Sequence, residues 1–171
     1  MGSALGVAKT AEGGEVTYVI GIDPGPMVGI VGINADWVRL LDHEPLVIQC
    51  SAHVFDDVLS AIATGHGDTV LAVERFVTAS ISARVNAPVA SRVAFISSAW
   101  CEDYAAEHQL QCFVRSAAEV KPWATDERLA RAGLIEATKG MRHARDAARH
   151  ALFAAVHDCG LRDPLSKAAH R

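Results

Sequence analysis

Two apolar segments of this 171-residue chain each end in a carboxylate, and this pairing constrains the fold more than any other feature. Residues 17–23 and 69–76 are rich in aliphatic and β-branched side chains, which predicts two buried strands. Asp23 precedes Pro24 and Gly25, whose turn chemistry ends the first strand, and Glu74 lies near the end of the second. Because a lone buried carboxylate is costly, both acids are expected to meet a compensating partner.

The rest of the chain alternates further strands with helices. Strands are predicted at 27–34, 45–50 and 110–116, the first of them forming an antiparallel hairpin with 17–23. Helices are predicted at 53–64, 80–107, 125–134 and 143–158, with a break at 86–88 because proline removes an amide donor, and with Thr125 or Asp126 as the cap of the third. This order predicts an α/β fold, a mixed five-stranded sheet flanked by helices.

The expected organisation is one domain over residues 17–160, with a flexible N-terminal tail at 1–16 and a C-terminal tail at 161–171. No apolar run is long enough for a membrane span, and the N-terminus lacks the basic and apolar blocks of a signal peptide. The four cysteines are scattered without zinc-site spacing, which favours free thiols in a reducing compartment. We therefore predict a cytoplasmic protein without a membrane partner, in a bacterial cell or, if phage-encoded, in the host cell.

Basic residues are concentrated in the last third of the chain although the net charge is −4. Eleven of the sixteen lysines and arginines lie between residues 115 and 171. Such asymmetry permits a local basic face that binds a phosphate backbone. Solvated helix faces are the alternative explanation.

The closing helix carries two stripes of side chains. His143, Asp146 and His150 are spaced to share one face, beside a stripe of small residues: Ala144, Ala147, Ala148, Ala151 and Ala155. A helix faced with alanine can lie close against a sheet, which would bring the polar stripe to the edge of that sheet. Asp23, Glu74 and Asp146 are therefore expected to converge, whereas His150 is expected to be a surface or capping side chain.

Three neighbouring carboxylates repel one another unless a cation is present. Magnesium prefers oxygen ligands and often bridges a carboxylate to a phosphate, and paired ions can activate water for displacement at phosphorus. Simpler roles remain open for each acid: Asp23 is also suited to capping a turn, and Glu74 to pairing with Arg75 or another base.

The motifs "VIGIDPG", "LAVERF" and "HARDAARHAL", in this order, resemble those of RuvC-type Holliday junction resolvases of the ribonuclease H-like superfamily. The resemblance covers about residues 17 to 160. It implies a ribonuclease H-like fold and a homodimeric, Mg²⁺-dependent endonuclease that cuts opposed strands of a four-way DNA junction. It also implies two ions per subunit, held by Asp23, Glu74 and residues of the last helix.

The last helix departs from the commonest pattern of that family. Many members carry two aspartates three residues apart, whereas this chain has His143 in the earlier place and Asp146 in the later. A neutral imidazole can bind a metal or relay a proton but contributes no negative charge. His143 is therefore treated as a variant ligand, one that makes Mn²⁺ an alternative to Mg²⁺.

The resemblance also suggests residues that contact DNA. Phe76 follows Glu74 closely, where the family tends to place an aromatic residue on a mobile loop that presses into the junction; an ordinary core phenylalanine is the alternative. Lys121 resembles a basic residue that contacts the scissile phosphate, or is a solvated loop lysine. Arg84 and Arg92 on the long helix would hold the backbone of a DNA arm, unless they are merely exposed.

Several functions therefore remain open. The substrate is either the four-way junction or, more broadly, forks, flaps and other branched DNA. A ribonuclease H-like nuclease for another substrate and a catalytically silent branched-DNA-binding module are the alternatives. An actin-like ATPase is disfavoured because the chain has no second Gly-rich phosphate loop. The long helix is expected to form the dimer contact because its small and apolar residues exceed what one buried face requires.

Overall fold

A five-stranded mixed sheet forms the centre of the protein. The computed structural model describes residues 17–66, 68–76 and 88–166. The strands are β1 (Tyr18–Asp23), β2 (Met27–Asn34), β3 (Leu46–Ser51), β4 (Thr69–Glu74) and β5 (Gln111–Arg115), in the order β3-β2-β1-β4-β5. β1 pairs antiparallel with β2 and parallel with β4, β2 pairs antiparallel with β3, and β4 pairs parallel with β5. The predicted mixed sheet and its first hairpin are confirmed.

Helices cover both faces of this sheet. They are α1 (Trp37–Asp42), α2 (Phe55–Ala63, preceded by a 3₁₀ turn at Ala52–Val54), α3 (Val89–Glu107), α4 (Ala117–Val120), α5 (Asp126–Arg131), α6 (Leu134–Ala137) and α7 (Arg142–His157). The structure confirms helices in all four predicted regions. The sequence pattern did not reveal α1, α4 or α6, because helices of four to six residues are too short to show helical periodicity.

Two predicted helix boundaries need correction or remain open. The helix predicted at 125–134 ends at Arg131, because Gly133 takes a left-handed backbone conformation with φ of 73° and a new helix begins after it. Its cap is Thr125, whose hydroxyl accepts a hydrogen bond from the Arg128 amide. The long helix begins at Val89, directly after Pro88, and residues 80–87 of the prediction lie outside the described residues.

The sheet is buried between two apolar cores. All six residues of β1 are buried, and their side chains alternate between the faces. Val19 packs into the core that includes α7, whereas Ile20 and Ile22 pack into the core that includes α2 and α3. Any polar side chain on β1 is therefore directed into one helix-covered face or the other.

α7 lies unusually close to β1 and β2. The predicted alanine stripe is fully buried against the sheet, and the strands present glycines opposite it. A Cβ atom on Gly21 would overlap the Ala147 carbonyl oxygen, and one on Gly29 would overlap the backbone of His143. The prediction of a close helix is confirmed, and the glycines supply the space on the sheet side.

The predicted C-terminal tail begins with packed residues. Leu161 is buried in the α7 core, and Asp163 forms an ion pair of 3.0 Å with Arg128. The tail therefore stays a prediction for residues 167–171, which, like the predicted N-terminal tail at 1–16, lie outside the described part of the chain. Among the described helices, none has the length and hydropathy needed to cross a membrane.

The substitution Gly21→Ala is expected to destabilise the fold, because the new methyl group must push α7 away from the sheet. Overpacking of this kind costs about 1–3 kcal/mol. Urea denaturation measures the loss. Gly65→Ala is the matched control, since its new Cβ would have no neighbour closer than 3.5 Å. Equal stability of the two variants would contradict the close packing of α7.

Candidate active site

Asp23 and Glu74 lie side by side at one edge of the sheet. β1 and β4 are parallel neighbours, and each acid is the last residue of its strand. By the alternation of side chains, Asp23 shares a face with Val19, and Glu74 shares the same face with Val70. Both carboxylates are therefore directed towards α7.

His143 is placed beside Asp23 by an anchor that the sequence analysis missed. Gln49 on β3 accepts hydrogen bonds at its Oε1 from the backbone amides of His143 (2.9 Å) and Ala144 (3.2 Å). It thus supplies the cap that Met141, the residue before α7, does not provide. His143 Nδ1 lies 2.8 Å from Asp23 Oδ2, within hydrogen-bond distance. A hydrogen on Nδ1 makes the imidazole the donor and leaves Nε2 as its acceptor.

Asp146 lies in the same region but is already paired with cations. Its Oδ1 accepts a hydrogen bond of 2.7 Å from Arg149, and its Oδ2 lies 3.3 Å from Lys121 Nζ. Arg149 also pairs with Asp126 and donates a hydrogen bond of 3.2 Å to the Ala124 carbonyl. The third acid of the predicted trio is therefore held by two basic side chains.

His150 is buried, and the expectation of a surface or capping histidine is wrong. Only 2% of the residue is exposed, and the helix that carries it packs against β1, β2 and β4 of the sheet and against α4, α5 and α6. Its Nε2 lies 3.3 Å from Glu74 Oε2. Within the described part of the chain, neither atom has a well-aligned hydrogen-bond partner. The sequence analysis considered Arg75 or another base as the partner of Glu74, and among the described residues the basic group beside Glu74 is His150.

The electrostatics of the site are dominated by Asp23. Burial, together with the nearby charges of Glu74 and Asp146, raises the pKa of this carboxyl from its ordinary value of 3.8 to about 6, although the hydrogen bond and the charge interaction with His143 act to lower it. Glu74 and Asp146 are therefore both close enough to Asp23 to repel its charge. Such a concentration of negative charge favours a cation.

All four residues expected at the metal site line one cleft of about 330 Å³. The other lining residues are Pro24, Gly25, Pro26, Phe76, Ala90, Ser91, Ala94, Lys121 and Arg142. Phe76 and Lys121, which the resemblance suggested for DNA contact, thus lie beside the acids. Arg142 was not predicted; its signal was its position in the basic last third, next to His143.

Of the two other predicted DNA contacts, only Arg92 lies within the described residues. Arg92 is exposed on α3 and is not among the described residues that line the cleft. Arg84 lies outside the described residues.

The donor set suits a hydrated divalent cation. No three His, Cys, Asp or Glu side chains of the described ranges are arranged as a ready metal cage. Magnesium keeps several of its waters and needs only one or two carboxylates. The Glu74 carboxylate, which lines the cleft, and the charge repulsion at Asp23 both favour such an ion.

The substitution Asp23→Asn is expected to stabilise the protein in chelator at pH 7 to 8. Because the folded carboxyl has the raised pKa of about 6, the folded protein binds more protons than the unfolded chain between pH 3.8 and 6, and stability falls as pH rises through that window. Removing the charge should restore on the order of 2 kcal/mol above the window and little near pH 4. Thermal melts across this pH range measure the effect.

Asp103→Asn, at an exposed position on α3, is the control and should show no such pH-dependent gain. Added Mg²⁺ should raise the melting temperature of the wild-type protein more than that of Asp23→Asn. A lower melting temperature for Asp23→Asn at pH 7 would contradict the electrostatic account of the site.

Comparisons with known proteins support the fold. No protein-family profile and no curated protein sequence matches the chain. Among solved structures, the chain is similar to T. thermophilus RuvC in complex with Holliday junction substrate, with a TM-score of 0.50 and 18% sequence identity. The match covers 85% of this chain and 97% of that one. The protein therefore has the ribonuclease H-like fold that the sequence motifs predicted.

Proposed function

We propose that this protein is a metal-dependent endonuclease that cuts branched DNA, with four-way Holliday junctions as its main substrate and forks and flaps as further ones. The observation that carries the proposal is the cleft in which Asp23, Glu74, His143 and Asp146 meet on a ribonuclease H-like fold. The reaction is hydrolysis of a phosphodiester bond. A cytoplasmic location belongs to the proposal, since the four cysteines are free thiols.

Asp23 and Glu74 are the principal residues that would hold the metal, with Asp146 and His143 completing the set. Two Mg²⁺ ions per subunit would supply activation of a water molecule and stabilisation of the leaving oxygen. His143 would orient Asp23 through the 2.8 Å contact between Nδ1 and Oδ2. This contact leaves Oδ1 as the oxygen that is not engaged by the imidazole. An imidazole in this set suits Mn²⁺ as an alternative ion.

Lys121 and Arg142 would hold the phosphate backbone at the cleft. Both are exposed and both line it, so each can reach a bound strand. Lys121 pairs with Asp146 across 3.3 Å, and because the lysine side chain is 43% exposed, exchanging this partner for a phosphate costs little. Arg92 and Arg84 on or before α3 would hold a DNA arm, and Phe76 would stack against an unpaired base.

A catalytically silent branched-DNA-binding protein is the second candidate. The pairing of both Asp146 oxygens with Arg149 and Lys121 favours it, because an acid engaged by two cations is less available to a metal. This candidate predicts junction binding that is unaffected by loss of Asp23 and is accompanied by no strand cleavage.

Cleavage of labelled four-way, forked and linear duplex DNA in Mg²⁺, Mn²⁺ and chelator tests the main proposal. We expect divalent-dependent nicking of the branched substrates and little cutting of linear duplex. Asp23→Asn, Glu74→Gln and Asp146→Asn should each lose about a hundredfold or more in rate, because each removes a charge from the metal site.

The control is Asp103→Asn, which removes an exposed carboxylate on α3 and should cut at the wild-type rate. The proposal fails if the three site variants cut as fast as the parent. Junction binding without nicking in either ion would instead support the silent binder, and cleavage of an RNA strand would support a nuclease for another substrate.

We also propose that the protein is a homodimer that uses α3 as its contact. Val89 and Ile96 are 71% and 62% exposed, and a spacing of seven residues places them on one stripe of this helix. Exposed apolar side chains aligned in this way are suited to a second copy of the chain. A dimer would present two clefts to two strands of one junction.

The substitution Ile96→Asp is expected to convert the dimer to a monomer, because it places a charge in the apolar contact. Light scattering and sedimentation measure the mass. Val38→Asp is the matched control, since Val38 is 63% exposed on α1 and should leave the dimer intact. A monomeric wild-type protein at micromolar concentration would refute the dimer.

A further inference from the structure

We propose that His150 is a positioning residue that holds Glu74 for the cation in the cleft. The inference rests on the proposed metal-binding role of Glu74. It concerns a side chain in the middle of α7 that does not line the cleft itself, as far as the described residues show.

The burial of His150 is the first observation. Its neighbours on α7 include Ala147, Ala151 and Ala154, which are apolar and fully buried, and Asp146, which is partly buried one turn earlier. A leucine would satisfy such a place without the cost of burying a polar ring. We therefore look for the role of the imidazole in the polar group that it contacts.

What it contacts is Glu74. Nε2 of His150 and Oε2 of Glu74 are 3.3 Å apart, and both atoms lack a well-aligned hydrogen-bond partner among the described residues. A neutral imidazole with its hydrogen on Nε2 can donate to that oxygen after a small rotation of either side chain. Hydrogen bonds in active sites are often long or poorly aligned before the ligands are bound.

The arrangement leaves the two oxygens of Glu74 with different tasks. Oε2 is buried beside His150, whereas the Glu74 side chain lines the cleft, so Oε1 is the oxygen available to a cation. His143 has the corresponding relation to Asp23, two helical turns earlier. Each strand-end carboxylate is thus paired with an imidazole from the same helix.

Residues that orient a metal ligand typically contribute ten- to a hundredfold in metal affinity. We therefore expect His150→Leu to weaken Mn²⁺ binding about tenfold, measured by titration calorimetry on the DNA-free protein. Its melting temperature in chelator should equal or exceed that of the wild-type protein, because the buried polar ring is replaced by an apolar side chain of similar size. His150→Gln, whose amide can donate in place of Nε2, should bind Mn²⁺ nearly as tightly as the wild-type protein.

His157→Leu is the matched control, since it makes the same change at an exposed position on the same helix and should leave Mn²⁺ affinity unchanged. In chelator, the ring nitrogen NMR shifts of His150 should change in Glu74→Ala, and those of His157 should not. This second measurement needs no substitution at His150 and no metal.

Mn²⁺ binding by His150→Leu at the wild-type affinity would overturn the inference, as would a His150→Gln variant as weak as His150→Leu. These results are separable from the fate of the proposed function. If the wild-type protein binds Mn²⁺ and the His150 variants behave as expected, but no branched DNA is cut, the nuclease proposal is refuted and the role of His150 stands. Absence of Mn²⁺ binding by the wild-type protein would overturn both.

Discussion

The close packing of α7 against β1 and β2 is the contact on which the rest of the site depends. Gly21 and Gly29 remove side chains from the sheet, and the alanine stripe removes bulk from the helix, so the two backbones approach within direct contact. Gln49 then anchors the start of the helix on β3. Together these contacts determine where His143, Asp146 and His150 lie relative to the strand-end acids.

The site is a balance of opposing charges. Asp23 is buried beside Glu74 and Asp146, and its burial, together with the charges of these two carboxylates, raises its pKa. Each acid has a nitrogen-bearing side chain close to its carboxylate. His143 lies beside Asp23 and His150 beside Glu74, whereas Lys121 and Arg149 both pair with Asp146. The proposed roles of His143 and His150 rest on a general property of imidazole, which in its uncharged form can orient a carboxylate and leave the negative charge of that carboxylate in place. The basic partners of Asp146 do cancel charge, and this difference makes Asp146 the least available acid.

Much of the architecture could be predicted from local pattern alone. The five strands and four main helices have periodicities that are long enough to recognise, and the two strand-end acids stand out because charge is rare in such apolar runs. The short helices α4 and α6 could not be recognised in this way, and they are among the elements that cover α7. The pattern of α7 alone placed His150 at the surface, whereas in the structure it is buried beside Glu74 of β4.

The sequence by itself determined the order of the elements, the alanine face of the last helix and the identity of the acids, since each depends on neighbouring residues in the chain. Only the tertiary structure decided which side chains from different helices and strands contact one another. The contact of Glu74 with His150, the anchoring of α7 by Gln49 and the engagement of Asp146 by Lys121 join residues from different elements. Such partners depend on strand register and helix position in space, which local periodicity does not encode.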